Sequence, residues 1–353
     1  MTFPKFLVIA TALLFTTIGV LAFFKTGKTS SKVKTEATPI AVAIPILLER
    51  EVQVATQDPS PPQVAKPAAV KEAVVALATN STIDVSPRPE NIERDRPLPN
   101  TDRIYQLFNK GEPKLPFVET ITYKSRVSWL KGRPAWLSDY ASHYSSSRHF
   151  IARSLNGKPD YLRQNIAEGD TFNVFRKDKN INFHLLVDTS RCKLWLYAID
   201  VDANKRFLLK SYQVGLGRPD GQKASGLLTP LGKYSLGSKV MSYEPKMEGH
   251  HNGQKVEMVR IFGSRWIPFE KEVTGCTVPA KGFGIHGVPW APNKAGVLAE
   301  NCSSLGKYEG DGCVRLATAD IEELFAILIT KPTVIELVND FFEAKLPGIE
   351  ITE

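Results

Sequence analysis

A stretch of about 70 residues without one aromatic residue or glycine limits what this chain can fold into. Residues 29–100 carry ten prolines among Ala, Val, Thr, Glu and Lys. Such a segment lacks the large side chains that build a core, and its prolines favour extended backbone. We therefore predict a disordered or semi-rigid linker over residues 29–100, which would reach about 200 Å if fully extended. The folded body is expected to begin after it.

The segment before this linker has the character of a membrane anchor. Residues 6–24 form an uncharged apolar run between Lys5 and Lys25, long enough to cross roughly 30 Å of hydrocarbon as a helix. The run ends in Leu-Ala-Phe-Phe, not in the small residues of a cleavage site. We predict an uncleaved anchor within residues 1–28, with a signal peptide as the alternative. Lysines are denser after the run than before it, which by the positive-inside rule favours a cytoplasmic body.

Charge and composition bear on the partners of this chain. The formal net charge of +8 suits an anionic surface such as a membrane or cell wall, and it equally suits simple solubility. No Lys/Arg-rich run with interleaved aromatic residues occurs, so we predict no nucleic-acid partner. Because Cys-x-x-Cys and His-x-x-x-His spacings are also absent from the sequence, we predict no metal and no cofactor.

Residues 101–178 have the pattern of a small α+β module. The predicted elements are a strand, two helices, and a turn with a strand, over residues 117–129, 134–144, 149–157 and 166–175. This βααβ order, with Trp136 after a turn and Gly169-Asp170 before the last strand, resembles a LysM module. The resemblance implies binding of glycans that contain N-acetylglucosamine.

From residue 179 to 340 the pattern changes to short strands separated by glycine and Asp/Asn turns. The predicted strands cover residues 183–187, 193–197, 207–214, 233–236 and 333–337. A helix is predicted over 318–329, opened by an Asx/Thr-type cap. The sequence thus predicts a mostly β domain with one C-terminal helix, preceded by the small α+β module.

Two short motifs in this domain carry chemistry: Gly284-Ile285-His286-Gly287 and Gly310-Asp311-Gly312-Cys313-Val314-Arg315-Leu316. A histidine, with an ordinary pKa near 6.5, is suited to take a thiol proton. The positive charge of Arg315 favours the thiolate of Cys313. Flanking glycines leave backbone N–H groups free to hold an oxyanion. A lone histidine or a Gly-Cys pair is more often structural, so the prediction rests on their combination.

In this order the motifs resemble the YkuD-type L,D-transpeptidase catalytic domain. His286-Gly287 and Gly312-Cys313-Val314-Arg315 match the histidine and cysteine blocks of that family. Further matches lie upstream in the expected order: Val187-Asp188, Leu194-Trp195-Leu196-Tyr197, Val214-Gly215-Leu216-Gly217, Thr229-Pro230-Leu231-Gly232-Lys233-Tyr234 and Ser264-Arg265-Trp266-Ile267-Pro268. The resemblance implies a YkuD-like β-sandwich or barrel.

The resemblance implies acyl transfer on peptidoglycan stem peptides. Cys313 is expected to form a thioester with a stem tetrapeptide, which an amine or water then resolves. His286 is the expected base, oriented by the carbonyl of Gly287, and the N–H groups of Gly312 and Cys313 form the oxyanion hole. Arg315 supports the turn or the substrate carboxylate. The expected substrate-binding residues are Ser264, Trp266 and Asp311, and carbapenem-type inhibitors are expected to acylate Cys313.

This chemistry requires an exported body, and we weigh it above the lysine distribution. The resemblance therefore implies a protein of the cell envelope, anchored in the inner or cytoplasmic membrane. Its catalytic body would lie in the periplasm or on the outer side.

Two departures from the family pattern stand near the nucleophile. Gly310-Asp311 replaces the usual Ser/Thr-His, and Asp311 either orients a neighbour or raises the pKa of Cys313. In addition, Cys313 lies 27 positions after His286, a longer spacing than is usual for the family. The extra residues, around 292–307, are expected to lengthen a loop over the site, as a lid or as surface decoration.

Other readings remain open at this stage. Papain-like and NlpC/P60 peptidases place cysteine before histidine, and sortases separate the two residues more widely, so both are weak alternatives. A non-catalytic wall-binding protein with a degenerate catalytic domain is an alternative of another class. Cys276 and Cys302 are a possible disulfide that would pin the inserted loop. Cys192 is predicted in the core, and His250-His251 in a solvated turn.

Overall fold

The computed structural model describes residues 96–156 and 165–351, together with the backbone of Ile44–Pro45. The anchor predicted within residues 1–28 lies outside the described residues. So does the linker predicted over 29–100, apart from Ile44–Pro45 and its last five residues. Everything described falls in the unit that spans Val42–Glu353. Within this part of the chain no helix is long and apolar enough to span a membrane.

The described elements are mostly strands. In chain order the strands are β1 Ile44–Pro45, β2 Val118–Thr122, β3 Asn165–Ile166, β4 Thr171–Phe175, β5 Ile181–Asp188, β6 Lys193–Asp200, β7 Lys205–Gln213, β8 Leu216–Gly217, β9 Gly232–Leu236, β10 Met241–Ser242, β11 Glu248–His251, β12 Gln254–Glu257, β13 Arg265–Thr274, β14 Gly284–Gly287, β15 Trp290–Pro292, β16 Leu298–Glu300, β17 Tyr308–Gly310, β18 Val314–Leu316, β19 Thr333–Val338 and β20 Ile349–Glu350. The helices are α1 Tyr105–Phe108, α2 Leu137–His143, α3 Arg148–Asn156, α4 Val259–Phe262 and α5 Thr318–Leu328. Short 3-10 turns cover Cys302–Ser304 and Phe341–Glu343. The predicted mostly β fold with few helices is confirmed.

One curled sheet organises the domain. Its strands pair in the order β18-β14-β13-β9-β19-β5-β6-β7-β20, with β10 also on β13. The long strand β13 pairs with β14 and β10 through its first residues and with β9 through its later ones. Register shifts interrupt the β9 pairing, between Phe269 and Lys271 and again between Glu272 and Thr274. Such bulges bend a strand and increase its twist, so they help to curl the sheet around the site.

Both faces of the central strands are covered. Alternate residues of β6 enter two different apolar clusters, because side chains on a strand point to opposite faces. Leu194 and Leu196 join the main core beneath α5, whereas Trp195 and Tyr197 pack with Leu208 and the C-terminal segment. This double burial explains why β6 reads as an almost continuous apolar run rather than an alternating one.

The small module precedes the sheet and shares its core. Strands β2 and β4 pair antiparallel, with α2 and α3 between them in the chain. One cluster, including Tyr140, Ile151 and Phe172, belongs to the module itself. A second set of module rings continues into the main core, since Phe175 lies 4.5 Å from Phe150 and 6.1 Å from Phe183 between ring centroids. The module therefore packs into the sheet domain rather than standing apart from it.

The last residues assigned to the linker pack against the far strands of the sheet. The indole N–H of Trp195 on β6 donates to the carbonyl oxygen of Pro99 at 2.8 Å. The N–H of Arg103 donates to the carbonyl oxygen of Leu209 on β7 at 2.6 Å. Ser211 also donates to the side chain of Asn100 at 2.8 Å. We call residues 97–103 the docking strap.

Candidate active site

The sheet brings the two sequence motifs onto neighbouring strands. Strands β14 and β18 are parallel, with His286 in register with Arg315 and Ile285 with Val314. Cys313 is the residue immediately before β18. The histidine and cysteine motifs therefore lie side by side at the end of the sheet, although the chain between them makes a hairpin and a 3-10 turn.

The turn before Cys313 depends on glycine. Gly312 has a φ of +116°, a backbone conformation that residues with a Cβ rarely adopt. A Cβ placed there would lie 2.7 Å from a ring carbon of Phe283 and 2.8 Å from the carbonyl oxygen of Leu228. Among the groups of the described chain, neither the N–H of Gly312 nor that of Cys313 has a hydrogen-bond acceptor. Both donors thus stand beside the thiol without an internal partner.

Cys313 is a half-buried, protonated thiol at neutral pH. Its Sγ lies 3.8 Å from the carbonyl oxygen of Gly282. Burial raises its pKa to about 11, while the N–H of Gly284 and the charge of Arg315 oppose that rise and the Asp311 carboxylate adds to it. The direction predicted for Asp311 at the sequence level agrees with this arrangement.

His286 is buried and neutral. Its Nδ1 lies 2.7 Å from the carbonyl oxygen of Gly287. Because a carbonyl oxygen only accepts, Nδ1 carries the proton and Nε2 keeps the lone pair of a base. Burial lowers the pKa of His286 to about 3, and the charge of Arg315 lowers it further, against backbone hydrogen bonds to Gly287 and Phe262.

Arg315 stands close to both groups. Its backbone is fixed by reciprocal hydrogen bonds with Gly215, each 2.9 Å long. Its guanidinium carbon would lie 3.3 Å from a Cβ on Gly310, so the glycine that replaces the usual Ser/Thr leaves room for this side chain. Its Nε is buried without a hydrogen-bond partner among the described residues.

An aromatic wall encloses the histidine. Trp266 on β13 stands opposite His286 on β14, with 5.8 Å between ring centroids. Phe262 packs edge-on against His286 at 5.4 Å and against Trp266 at 4.8 Å. His251 in turn packs edge-on against Phe262 at 5.5 Å, and its charge lowers the pKa of His286.

Sequence patterns did not identify Phe262 as part of this site, and they did not place His251 beside it. Phe262 belongs to no family motif quoted above, and its role is visible only once α4 packs beside β14. His250 and His251 were predicted in a solvated turn; His250 is exposed, whereas His251 is half-buried. They lie on β11, paired with β12, because Asn252 and Gly253 make the turn of this hairpin with positive φ values of 51° and 77°.

The remaining predicted substrate-binding residues, Ser264 and Asp311, lie in opposite environments. Ser264 is buried; its carbonyl oxygen accepts from Tyr243 at 2.8 Å and from the Arg265 guanidinium at 2.7 Å. Its hydroxyl has no partner within the described residues. Asp311 is exposed and accepts from the guanidinium of Arg218 at 2.8 Å. Of the two, only Asp311 is exposed enough to meet a ligand.

The inserted segment after His286 is an ordered hairpin, β15–β16, attached to helix α5. Glu300 accepts a hydrogen bond from the N–H of Thr318 at 2.8 Å, and the indole of Trp290 donates to the Thr318 hydroxyl at 3.2 Å. The expected Asx/Thr-type cap is wrong, since the residue before the helix is Ala317 without a side-chain cap. The carboxylate of Glu300 supplies that cap from outside the helix.

The proposed disulfide between Cys276 and Cys302 is also wrong. All four cysteines carry free thiols. The thiol of Cys276 donates to the carbonyl oxygen of Lys233 on β9 at 2.9 Å, whereas Cys302 is exposed. Cys192 is buried in the core as predicted.

Comparison with known proteins finds one family model that matches this region. Residues 182–336 match the family model of the L,D-transpeptidase catalytic domain, YkuD. No curated protein matches the chain. The comparisons give no support to the LysM assignment of residues 101–178, which stays a prediction.

Solved structures similar to this chain include two bacterial proteins. The helical cell shape determining protein Pgp2 from Campylobacter jejuni is 17% identical, with 48% of this chain and 51% of that chain covered and a TM-score of 0.32. Bd1075 from Bdellovibrio bacteriovorus is 16% identical, with 47% and 50% covered and a TM-score of 0.30. The match spans about half the length of each of these chains.

Proposed function

We propose that this chain is a cysteine-dependent peptidoglycan L,D-transpeptidase. One observation carries the proposal: His286 and the residue after Cys313 are on adjacent parallel strands, and the charge of Arg315 acts on both the imidazole and the thiol. The family model matches the region that contains them. A base, a nucleophile and two unpaired backbone donors are what acyl transfer through a thioester requires.

The acylation step uses these groups in turn. The Cys313 thiol attacks the carbonyl carbon of the third residue of a stem tetrapeptide, which is bonded to the nitrogen of the fourth. Nε2 of His286 takes the thiol proton. The N–H groups of Gly312 and Cys313 hold the resulting oxyanion. The intermediate then expels the amine of the terminal D-alanine, which receives the proton from His286, and the tripeptidyl thioester remains on Cys313.

The deacylation step reverses these roles. His286 removes a proton from an incoming amine of a neighbouring stem peptide as that amine attacks the thioester. Collapse returns the proton to the departing sulfur and leaves a three-to-three cross-link. With water in place of the amine, the same steps release a tripeptide, which is L,D-carboxypeptidase activity. A carbapenem would acylate Cys313 by the first step because its ring carbonyl is an acyl donor.

The protonation states of the free protein indicate when the proton moves. Burial keeps Cys313 a neutral thiol and His286 a neutral imidazole. A preformed thiolate–imidazolium pair is therefore disfavoured before substrate binds. We propose that proton transfer accompanies nucleophilic attack, when the new carbon–sulfur bond removes the charge from sulfur.

The surroundings proposed for this activity follow from the sequence. Residues 6–24 would anchor the chain in the inner or cytoplasmic membrane, with the body on the outer side and residues 29–100 as the tether. The module of residues 101–178 would bind wall glycan. In that module Trp136 is 53% exposed, with the Arg133 guanidinium 4.7 Å from its ring, and exposed aromatic faces suit sugar rings.

Mass spectrometry of a disaccharide-tetrapeptide tests the reaction. The purified full chain should remove D-alanine or form a cross-linked dimer, and Cys313→Ser should do neither. Cys302→Ser is the matched control, because Cys302 is an exposed free thiol outside the proposed site. If folded wild-type protein leaves the substrate unchanged, the proposal fails and the non-catalytic wall-binding protein becomes the better account.

A further inference from the structure

An exposed ion pair stands beside the nucleophile and takes no part in the steps above. The guanidinium of Arg218 contacts the Asp311 carboxylate at 2.8 Å, two residues before Cys313. We propose that Arg218 binds a free carboxylate of the donor stem peptide, and that Asp311 is a resident counter-ion which the substrate displaces. This inference rests on the proposed function and names a specificity residue for it.

The backbone of Arg218 is fixed against the nucleophile turn. Its N–H donates to the carbonyl oxygen of Gly310 at 2.9 Å, and its own carbonyl oxygen accepts from the N–H of Leu228 at 2.8 Å. Leu228 is the residue whose carbonyl oxygen closes the space beside Gly312. The backbone of Arg218 is therefore attached to Gly310, three residues before Cys313, while its side chain remains 61% exposed.

The exposure of this ion pair allows another carboxylate to replace Asp311 on the guanidinium of Arg218. The Asp311 side chain is 78% exposed, and exposed pairs of this kind contribute little to stability because water screens them. A guanidinium presents a planar set of donors that matches a carboxylate in two-point geometry. A substrate carboxylate can thus replace Asp311 at small cost. Arg315 is less available for this task, since it is half-buried and its backbone is locked to Gly215.

Two carboxylates of a donor peptide are candidates for binding to Arg218. One is the C-terminal carboxylate of the fourth residue, and the other is a side-chain carboxylate of the third residue. Both flank the amide that Cys313 would attack. Selective amidation of one or the other in synthetic tetrapeptides distinguishes them without changing the scissile bond.

The test compares steady-state constants of the full chain with these peptides. Arg218→Gln should raise KM for the free-carboxylate donor at least about tenfold, the loss expected for a hydrogen bond to a charged group, and leave kcat within about threefold. Asp311→Asn should lower KM, because the guanidinium no longer has an internal competitor. On the peptide whose contacted carboxylate is amidated, wild type and Arg218→Gln should have the same KM. Lys223→Gln, which removes an exposed charge from the same loop, should change neither constant.

The opposite directions of the two KM changes distinguish substrate binding by Arg218 from a purely structural role of the ion pair. If the pair merely holds the turn, Arg218→Gln and Asp311→Asn break it equally and shift KM in the same direction, which would overturn the inference. An unchanged KM for Arg218→Gln on every peptide would overturn it as well. If wild type turns over no peptide at all, the proposed function fails instead, so the two failures are distinguishable.

Discussion

Arg315 is in register with His286 across β14 and β18, and its single charge lowers the pKa of both His286 and Cys313. The two effects have opposite consequences for the proposed reaction. A lower pKa favours the thiolate of Cys313 but disfavours the imidazolium of His286. The arginine therefore assists the nucleophile and keeps the base deprotonated until it is used.

Replacement of Arg315 by glutamine should make Cys313 less reactive. Without the positive charge the pKa of the thiol rises further, so the rate of alkylation by iodoacetamide at pH 8 should fall several-fold. Arg315→Lys should lose less, because it keeps the charge. Peptide mapping of the same sample reports the rate at Cys302 as an internal control, and an equal fall at both cysteines would contradict the prediction.

The pH dependence of Cys313 alkylation should be displaced to high pH. With a pKa of about 11, its rate should still be rising above pH 9, where a simple thiol with a pKa of about 8.5 has levelled off. Asp311→Asn should move the rise to lower pH, because the carboxylate raises the pKa of the thiol. A plateau near pH 8 in the wild-type protein would contradict the burial described here.

Acid should destabilise the fold through His286. Its folded-state pKa of about 3 lies below the ordinary value of 6.5, so the native state disfavours the proton. The stabilisation is complete above pH 6.5 and is lost as the pH falls towards 3, by at most about 1.4 kcal/mol per pH unit. Urea unfolding of His286→Gln at pH 7.5, 6 and 5 should show a shallower loss than wild type.

His149 on helix α3 provides the comparison. Desolvation, followed by the charges of Arg265 and Arg148, lowers the pKa of this half-buried histidine to about 3. His149→Gln should reduce the pH slope in the same way while leaving alkylation of Cys313 unchanged. If neither variant alters the slope, these histidines are not buried as neutral groups.

Gly312→Ala should damage both stability and activity. The new Cβ would need a φ of +116° and would meet Phe283 and Leu228 at less than 3 Å. Backbone strain of this kind costs about 1–3 kcal/mol, and relief of it would displace the N–H groups proposed for the oxyanion. Gly221→Ala is the matched control, since nothing lies within 4 Å of its Cβ position. Equal unfolding midpoints for the two variants would contradict this prediction.

Local patterns predicted five strands of the sheet (β5, β6, β7, β9 and β19) and the long helix well, but not β13, β14 and β18. Strand β9 was expected at 233–236 and spans Gly232–Leu236, and helix α5 was expected at 318–329 and spans Thr318–Leu328. Such segments are set by the period of their own apolar residues. The first helix fared worse. Residues 101–108, followed by Gly111, have the pattern of a short capped helix, whereas the helix covers only Tyr105–Phe108, because the residues before it extend along β7.

What the sequence did not reveal arises from contacts distant in the chain. The cap of α5 comes from Glu300, and the wall beside His286 comes from Phe262 and His251. No local pattern encodes either contact, because each depends on how hairpins fold back onto the sheet. The motif histidine and cysteine were identifiable because the two motifs occur together and in the order of the family that they resemble.

The docking strap has a mechanical consequence. It joins the body at β6 and β7, which are separated from β14 and β18 by four other strands in the pairing order of the sheet. A pull transmitted through the residues before Pro97 is therefore first resisted by strands buried on both faces. The force would reach the turn that carries Cys313 only after the intervening strands of the sheet had yielded. If the chain is anchored as proposed, tension on the body would therefore leave Cys313 in position.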